Sequence, residues 1–173
     1  SIFACPYCHG WEARDRPWGI LAPDPTTPHL LPFALQARCW SPAVTVFTHG
    51  AAGVPAEVRA RFDAAGIRLE TAPIVRLDAP AGGLEAVVLE GGRSVACAAL
   101  FAHPPQRQIP LVRSLDLALD ENGFVRVDAR FETSAPGIFA AGDLTSRLQA
   151  AIVAAAQGMQ AAASVNVDLA LED

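Results

Sequence analysis

Cys5 and Cys8 stand two residues apart in the run Cys5-Pro6-Tyr7-Cys8-His9-Gly10. Thiols at this spacing can close into a disulfide and reopen without large backbone movement, and Pro6 restricts the loop between them. One thiolate can attack a mixed disulfide formed by its partner, so redox exchange is the first chemistry the spacing suggests. The same pair could be half of a zinc site, which would need two further ligands at suitable spacing. Cys39 and Cys97 stand alone, and His29, His49 and His103 are scattered. The redox reading is therefore preferred over zinc.

A second chemical signal is Gly137-Ile138-Phe139-Ala140-Ala141-Gly142-Asp143. An apolar strand ending in Gly-Asp would put one carboxylate at the carboxyl edge of a sheet, where open α/β sheets bind ligands, and Gly142 would let backbone approach a bulky cofactor. Such a carboxylate can accept a hydrogen bond from a sugar or ribityl hydroxyl. Asp143 could equally serve as a turn or helix-cap residue.

The composition narrows the setting. The chain has 173 residues, 51% hydrophobic and 18% charged, enough for one substantial core or two small ones in a well-buried globular protein. A net charge of −5 with no basic run argues against nucleic acid or an anionic membrane surface as the partner. Four cysteines are too few for a secreted disulfide scaffold, and no charged segment followed by an apolar one opens the chain. A cytoplasmic location is the expectation. The start at Ser1, without Met, reads as part of a longer polypeptide.

Elements that could position these residues follow from periodicity and turn signals. Trp18 to Ala22 reads as a buried strand, followed by the turn-rich Pro23-Asp24-Pro25-Thr26-Thr27-Pro28. Thr27 is the predicted cap of a helix starting at Pro28 and carrying Leu30, Leu31, Ala34, Leu35 and Cys39 on its apolar face up to Trp40. Val44 to Phe47 reads as a strand, Pro55 to Ala65 as a helix ended by Gly66, and Ile67 to Thr71 as a strand. This β-α-β-α-β order implies parallel strands with right-handed crossovers. Ile74 to Leu77, Leu84 to Leu89 and Ser94 to Ala98 then read as antiparallel strands separated by Gly-rich turns. Pro104 to Pro110 is a predicted linker, Phe124 to Val127 and Gly137 to Ala140 are predicted strands, and an Ala-rich helix spans about Leu148 to Leu169. Gln157, Gln160, Asn166 and Asp168 break any membrane-length apolar run in that helix.

Taken together, these features resemble the low-molecular-weight thioredoxin reductases. The resemblance covers nearly the whole chain but only the rear part of that family. It implies an α/β fold: a Rossmann-like three-layer domain over residues 1–104, with a parallel sheet and an antiparallel β insert, carrying the Cys-x-x-Cys. Residues 105–173 would be the carboxyl-terminal part of an FAD-binding domain. The family's amino-terminal Gly-x-Gly-x-x-Gly unit has no counterpart here. By this resemblance Cys5 and Cys8 match the redox pair, and His9 falls where the family carries an Asp that moves protons. An imidazole could do that near neutral pH, the plain alternative being a solvent-exposed cap. Asp143, beside Gly142, would hold the ribityl chain of FAD. Gln149, Ala150 and Ala151 would bring helix-start amides toward the flavin ring, although this tract is one residue shorter than the family's.

The departures from the family also carry information. In place of its Gly-x-Gly-x-x-Ala phosphate loop the chain has Ala22-Pro23-Asp24-Pro25-Thr26-Thr27. Pro23 and Pro25 remove amide donors, and Asp24 adds negative charge where a pyrophosphate would sit. Phe47-Thr48-His49-Gly50-Ala51-Ala52 lacks the basic cluster that grips a 2′-phosphate, and Arg59 and Arg61 read as a solvated face. Bound NAD(P)H is thus in doubt. The opening Cys5-Pro6-Tyr7-Cys8-His9-Gly10-Trp11-Glu12 is similar to the thioredoxin-reductase-like dithiol oxidases that close disulfides in natural products such as gliotoxin and holomycin. The resemblance then implies FAD in a longer parent protein, a small dithiol or thioredoxin-like protein as partner, and a homodimer. The other readings are an NADPH-dependent thioredoxin reductase, a non-catalytic binding module, and a zinc module. His103 is a second candidate base, while Cys39 and Cys97 read as buried, inert sulfurs and Trp11, Trp18 and Trp40 as packing residues.

Overall fold

The computed structural model describes residues 1–171 and divides into two compact units, Ser1–His103 and the remainder from Pro104. The first unit is built on a five-stranded, all-parallel sheet formed by β1 (Ile2–Phe3), β2 (Trp18–Leu21), β3 (Val44–Phe47), β4 (Arg68–Glu70) and β8 (Ala99–Ala102). Their spatial order is β1-β8-β2-β3-β4. Helices α1 (Pro6–Ala13), α2 (Leu30–Ala37) and α3 (Ala56–Ala64) connect successive strands. The insert β5 (Ile74–Asp78), β6 (Ala86–Leu89) and β7 (Ser94–Ala96) forms an antiparallel sheet in the order β5-β6-β7.

Strand alternation separates two apolar layers. Trp18, Ile20, Val44, Val46, Ala99 and Phe101 join a core that includes Ala13 of α1, Leu30, Ala34 and Ala37 of α2 and Phe62 of α3. Phe47 and Leu100 belong to the other, with Leu84, Val87, Leu89, Val95 and Cys97 from the insert. Adjacent strand residues pointing to opposite faces is what a pleated strand requires when both faces are covered. The result is three layers: helices, parallel sheet, antiparallel sheet.

Several local expectations shift. The helix predicted from Pro28 begins at Leu30, and Thr27 contributes its carbonyl to the Leu30 N–H rather than a side-chain cap. Pro32 explains this: it has no N–H to donate to residue 28, but two residues past Leu30 it occupies the first turn, where that donor has no helical partner anyway. The helix ends at Ala37, so Cys39 lies in the following turn and is exposed rather than on an apolar helix face. The strands β1 and β8 escape the periodicity reading, one being two residues long and the other following Cys97 and Ala98 without a turn signal.

The second unit holds α4 (Pro110–Ser114), a short 3₁₀ turn Gly142–Leu144, and α5 (Ala151–Leu171). Phe124 to Val127 and Gly137 to Ala140 do not form strands; each contributes one isolated bridge, Leu119 with Val125 and Glu132 with Phe139. A strand persists only with a partner ladder, and among the described residues neither run has one. The apolar core of this unit is small: Phe124, Val125, Ala140 and Ala161 are buried. Arg130 ties the loops to α5 by an ion pair with Asp168.

Candidate functional site

The dithiol lies where β1 hands over to α1. Cys5 is the residue preceding the helix, with extended backbone (φ −125°, ψ 120°), and Pro6 takes the first helical position, where its fixed φ is favourable and its missing N–H costs nothing. This places Cys8 in the first turn. The two sulfurs are 2.7 Å apart, the Cys8 thiol donating to Cys5 Sγ, and both are free thiols. Cys5 is half-buried and Cys8 exposed. The hydrogen bond to Cys5, followed by weaker burial and charge effects, holds the Cys8 thiol above its ordinary pKa.

The inward stripe of α1 seats it closely. Pro6, Gly10 and Ala13 are buried, and their spacing puts them on one helix face. A Cβ on Gly10 would lie 3.1 Å from Trp18 Cη2 and 3.3 Å from Trp40 Cδ2, so the helix rests directly on the stacked tryptophan pair. The Trp18 indole N–H caps the helix end by donating to the Ala13 carbonyl at 2.8 Å. The outward face presents Tyr7, Cys8 and Trp11, with Tyr7 75% and Trp11 63% exposed. Trp11 is covered by the Arg14 guanidinium at 3.8 Å, and the Tyr7 hydroxyl meets the Gln36 amide. These two aromatics escaped the sequence reading, which assigned Trp11 to packing; their four-residue spacing beside the thiols was the available signal.

His9 follows Cys8, is exposed, and stacks on Phe3. His103 lies two residues beyond Phe101, as Cys5 lies two beyond Phe3, and Phe3 and Phe101 are paired across neighbouring strands. Its ring meets Phe33 edge-on at 5.5 Å. The carboxyl ends of β1, β2, β3 and β8 thus bring the thiols, the Ala22–Thr27 loop, the Thr48–Val54 loop and His103 to one sheet edge, the edge at which parallel sheets take ligands.

The loop after β2 supplies its own anion. Asp24 accepts hydrogen bonds from the Thr26 N–H at 3.0 Å and the Thr26 hydroxyl at 2.6 Å. Those two bonds, hydroxyl first, hold its carboxyl below the usual range. With Pro23 and Pro25 lacking amides and Thr26 already engaged, these residues do not fit a dinucleotide pyrophosphate. After β3 a shallow depression of about 320 Å³ is lined by Gly50 to Val54, Arg59 and Thr71. Arg59, read as a solvated face, borders it.

In the second unit Gly142 adopts φ +74°, and its N–H donates to Gln157 Oε1 at 2.8 Å. This fixes the 3₁₀ turn against α5, and a Cβ on Gly142 would meet Ala154 Cβ at 3.1 Å. Asp143 is exposed, and among the described residues its carboxylate makes no hydrogen bond, which suits an acceptor for a ligand hydroxyl. The helix expected from Leu148 starts at Ala151. Gln149 lies before it with its N–H given to the Arg147 carbonyl, so the unspent amides of the first turn begin with Ala151. Asp143 and the first-turn amides from Ala151 are thus the groups of this segment that could meet a ligand, the Gln149 N–H being spent on Arg147. Gln157 was named in the sequence only as a membrane-breaking polar residue. Among the described residues no group of three or more His, Cys, Asp or Glu is placed to hold a metal ion, and no helix is long and apolar enough to cross a membrane.

Residues 47–158 match the family profile of pyridine nucleotide-disulphide oxidoreductases. The chain is similar to thioredoxin reductase sirT of Leptosphaeria maculans, with 31% identity covering 95% of this chain and 54% of that protein. Among solved structures it resembles a putative thioredoxin reductase, TrxB, from Bacillus anthracis (TM-score 0.85, 29% identity, 99% of this chain and 57% of that one). It also resembles an oxidoreductase from Agrobacterium tumefaciens (TM-score 0.84, 30% identity, 100% and 57%). The chain spans about half the length of the curated relatives it matches.

Proposed function

The chain belongs to the pyridine nucleotide-disulphide oxidoreductases, and from that premise we propose that it carries the thiol-disulfide half of a thioredoxin-reductase-like flavoenzyme that oxidises dithiols. The observation that carries this reading is the Cys5–Cys8 contact of 2.7 Å at the carboxyl end of β1. Two sulfurs at that position, one exposed, form the relay such an enzyme needs. FAD, when bound in the longer polypeptide, supplies the two-electron acceptor.

This chain's residues do the following. With the pair oxidised, a substrate thiolate attacks one sulfur, forming a mixed disulfide as the Cys5–Cys8 bond breaks. The second substrate thiolate then attacks the substrate sulfur, releasing substrate disulfide and leaving Cys5 and Cys8 reduced. His9 takes and returns protons, and Cys8 is the sulfur that hands on electrons. Asp143 would hold the ribityl chain of FAD by accepting a hydrogen bond, and the amides at the start of α5 would supply donors to it. The Asp24-filled loop favours electrons entering from thiols and leaving to oxygen rather than entering from NADPH. The partner is a small dithiol or a thioredoxin-like protein.

NADPH-driven reduction is the second reading, favoured by the names of the relatives and by Arg59 at the depression after β3. The deciding experiment is an absorption spectrum of the parent-length protein during addition of a dithiol, with and without NADPH and oxygen. Bleaching of the flavin by dithiol with recovery in air supports the oxidase. Bleaching by NADPH alone overturns it.

A further inference from the structure

His9 is an exposed side chain on a helix, and such a side chain ordinarily samples several rotamers. Here its ring lies on Phe3, with centroids 4.5 Å apart and planes within 13°. Phe3 is itself fixed. Its backbone is paired with Phe101 in the β1–β8 ladder, and its ring is 5.9 Å from that of Phe101. Phe101 is fully buried and further held by Trp18 at 4.4 Å and Phe33 at 6.1 Å. A continuous row of rings therefore runs from the core of the first unit to an imidazole one residue after Cys8. That imidazole is also four residues after Cys5 in the chain.

We propose that Phe3 is a positioning residue whose ring holds the His9 imidazole beside the dithiol. The proposal rests on the reading of His9 as the proton carrier. In the exchange it serves, the substrate thiol gives its proton to His9, and its sulfur bonds to one sulfur of the Cys5–Cys8 disulfide as that bond breaks. The released sulfur then takes the proton from His9. Atoms and electrons balance within this step, and no further oxidant enters it. A fixed imidazole raises the fraction of encounters in which both transfers are possible, and a ring contact of this kind corresponds to roughly a twofold to tenfold population bias.

The test uses the oxidised 173-residue chain and dithiothreitol as the probe, following reduction of the Cys5–Cys8 disulfide by mass spectrometry after acid quench. His9→Ala is expected to slow the exchange, and Phe3→Leu to slow it roughly twofold to tenfold. Phe3→Tyr, which keeps the ring, is expected to match the unmodified chain. The double variant Phe3→Leu/His9→Ala is expected to be no slower than His9→Ala alone. In proton NMR the His9 ring resonances are displaced by the Phe3 ring and return to ordinary positions in Phe3→Leu. Phe3→Met, apolar but without a ring, replaces the leucine variant if that one fails to fold. A slow His9→Ala beside a normal Phe3→Leu overturns the positioning role and leaves the role of His9 intact. So does an equal slowing by Phe3→Leu on the His9→Ala background, which would place the effect in the backbone. A normal His9→Ala overturns the proton-carrier reading and this proposal with it.

Discussion

Cys97 tests whether the structure sorts the sulfurs of this chain correctly. The residue is 1% exposed, packed with Phe47 and Leu100 in the insert-side core. Burial pushes its thiol up from an ordinary value of 9.0 to about 11, against the opposing effect of backbone hydrogen bonds with Gly19 and Ala99. A displacement of about two units corresponds to about 3 kcal/mol between the two protonation states, and at this depth solvent screening removes little of it. Below pH 9 both folded and unfolded chains keep the proton, so the contribution is fully present. Between pH 9 and 11 the unfolded chain releases its proton while the folded chain still holds one, so the folded state binds more protons and stability falls as pH rises.

The perturbation is Cys97→Ala, which removes the titrating group at the cost of a small cavity that is the same at every pH. Trp11, Trp18 and Trp40 all belong to the first unit, so urea denaturation followed by tryptophan fluorescence reports on the unit that contains Cys97. Measured under reductant at pH 8 and pH 11, the unmodified chain should lose about 2 kcal/mol more than the variant, the full difference not being reached because the folded thiol is itself half-ionised at pH 11. Comparing the two losses cancels Tyr7 and the other cysteines. Equal losses, within about 0.5 kcal/mol, would refute the reasoning. They would mean that the Gly19 amide and its surroundings accommodate a thiolate, making Cys97 a masked reactive sulfur rather than an inert one.

Gly19→Ala should destabilise the first unit by about 1–3 kcal/mol in the same assay, since its Cβ would fall within 2.8 Å of Cys97 Sγ and Leu100 Cδ1 and 2.9 Å of Phe47 Cε2. Arg93→Leu removes the cation paired with the buried Glu70 carboxylate and should cost about 1–3 kcal/mol at neutral pH. The Glu70 carboxyl is held low chiefly by its hydrogen bond from Arg93. That stabilisation is present above pH 4.5 and lost as pH falls through the lowered value, so the variant should show a flatter acid limb in urea titrations. Gly142→Ala should lower the thermal midpoint of α5 helicity, followed by circular dichroism, because the left-handed backbone costs about 1–2 kcal/mol with a side chain present and the Ala154 methyl stands 3.1 Å away. In the parent-length protein the same change should weaken flavin binding, read by flavin fluorescence.

The parallel layer was legible because its signals are local. Trp18 to Leu21, Val44 to Phe47 and the segment ended by Gly66 each declare themselves by an apolar run or a turn residue. The antiparallel insert was legible through its paired glycines, Gly82-Gly83 and Gly91-Gly92. What escaped depends on distant partners. A two-residue strand such as Ile2–Phe3 exists only because β8 lies beside it, and the Phe3–His9 stack joins residues whose relation appears once the chain turns at Cys5. The same physics misled in the opposite direction at Gly137 to Ala140, whose apolar pattern suits a strand but which has a single bridge among the described residues. The chemistry proposed for the site was read from residue type at Cys5, Cys8 and His9. The residues that position them, Phe3, Gly10 and the Trp18–Trp40 pair, are apolar or small and carry no chemical signature.

Under the proposed reading, the two loops that leave β1 and β2, strands on either side of β8, at one sheet edge have opposite roles, and each role follows from what its first turn does with its donors. After β1, Pro6 and a short helix leave two sulfurs in contact and one exposed, with no other hydrogen-bond partner among the described residues. After β2, the Thr26 amide and hydroxyl are both spent on Asp24, whose lowered pKa keeps it charged across the neutral range. A dinucleotide would have to displace a carboxylate that is covalently tethered, already hydrogen-bonded and of the same sign as its own pyrophosphate. A tethered anion wins that competition by effective concentration, because its binding carries no association entropy. The open position at this edge is then the dithiol, which favours substrate thiols as the source of electrons.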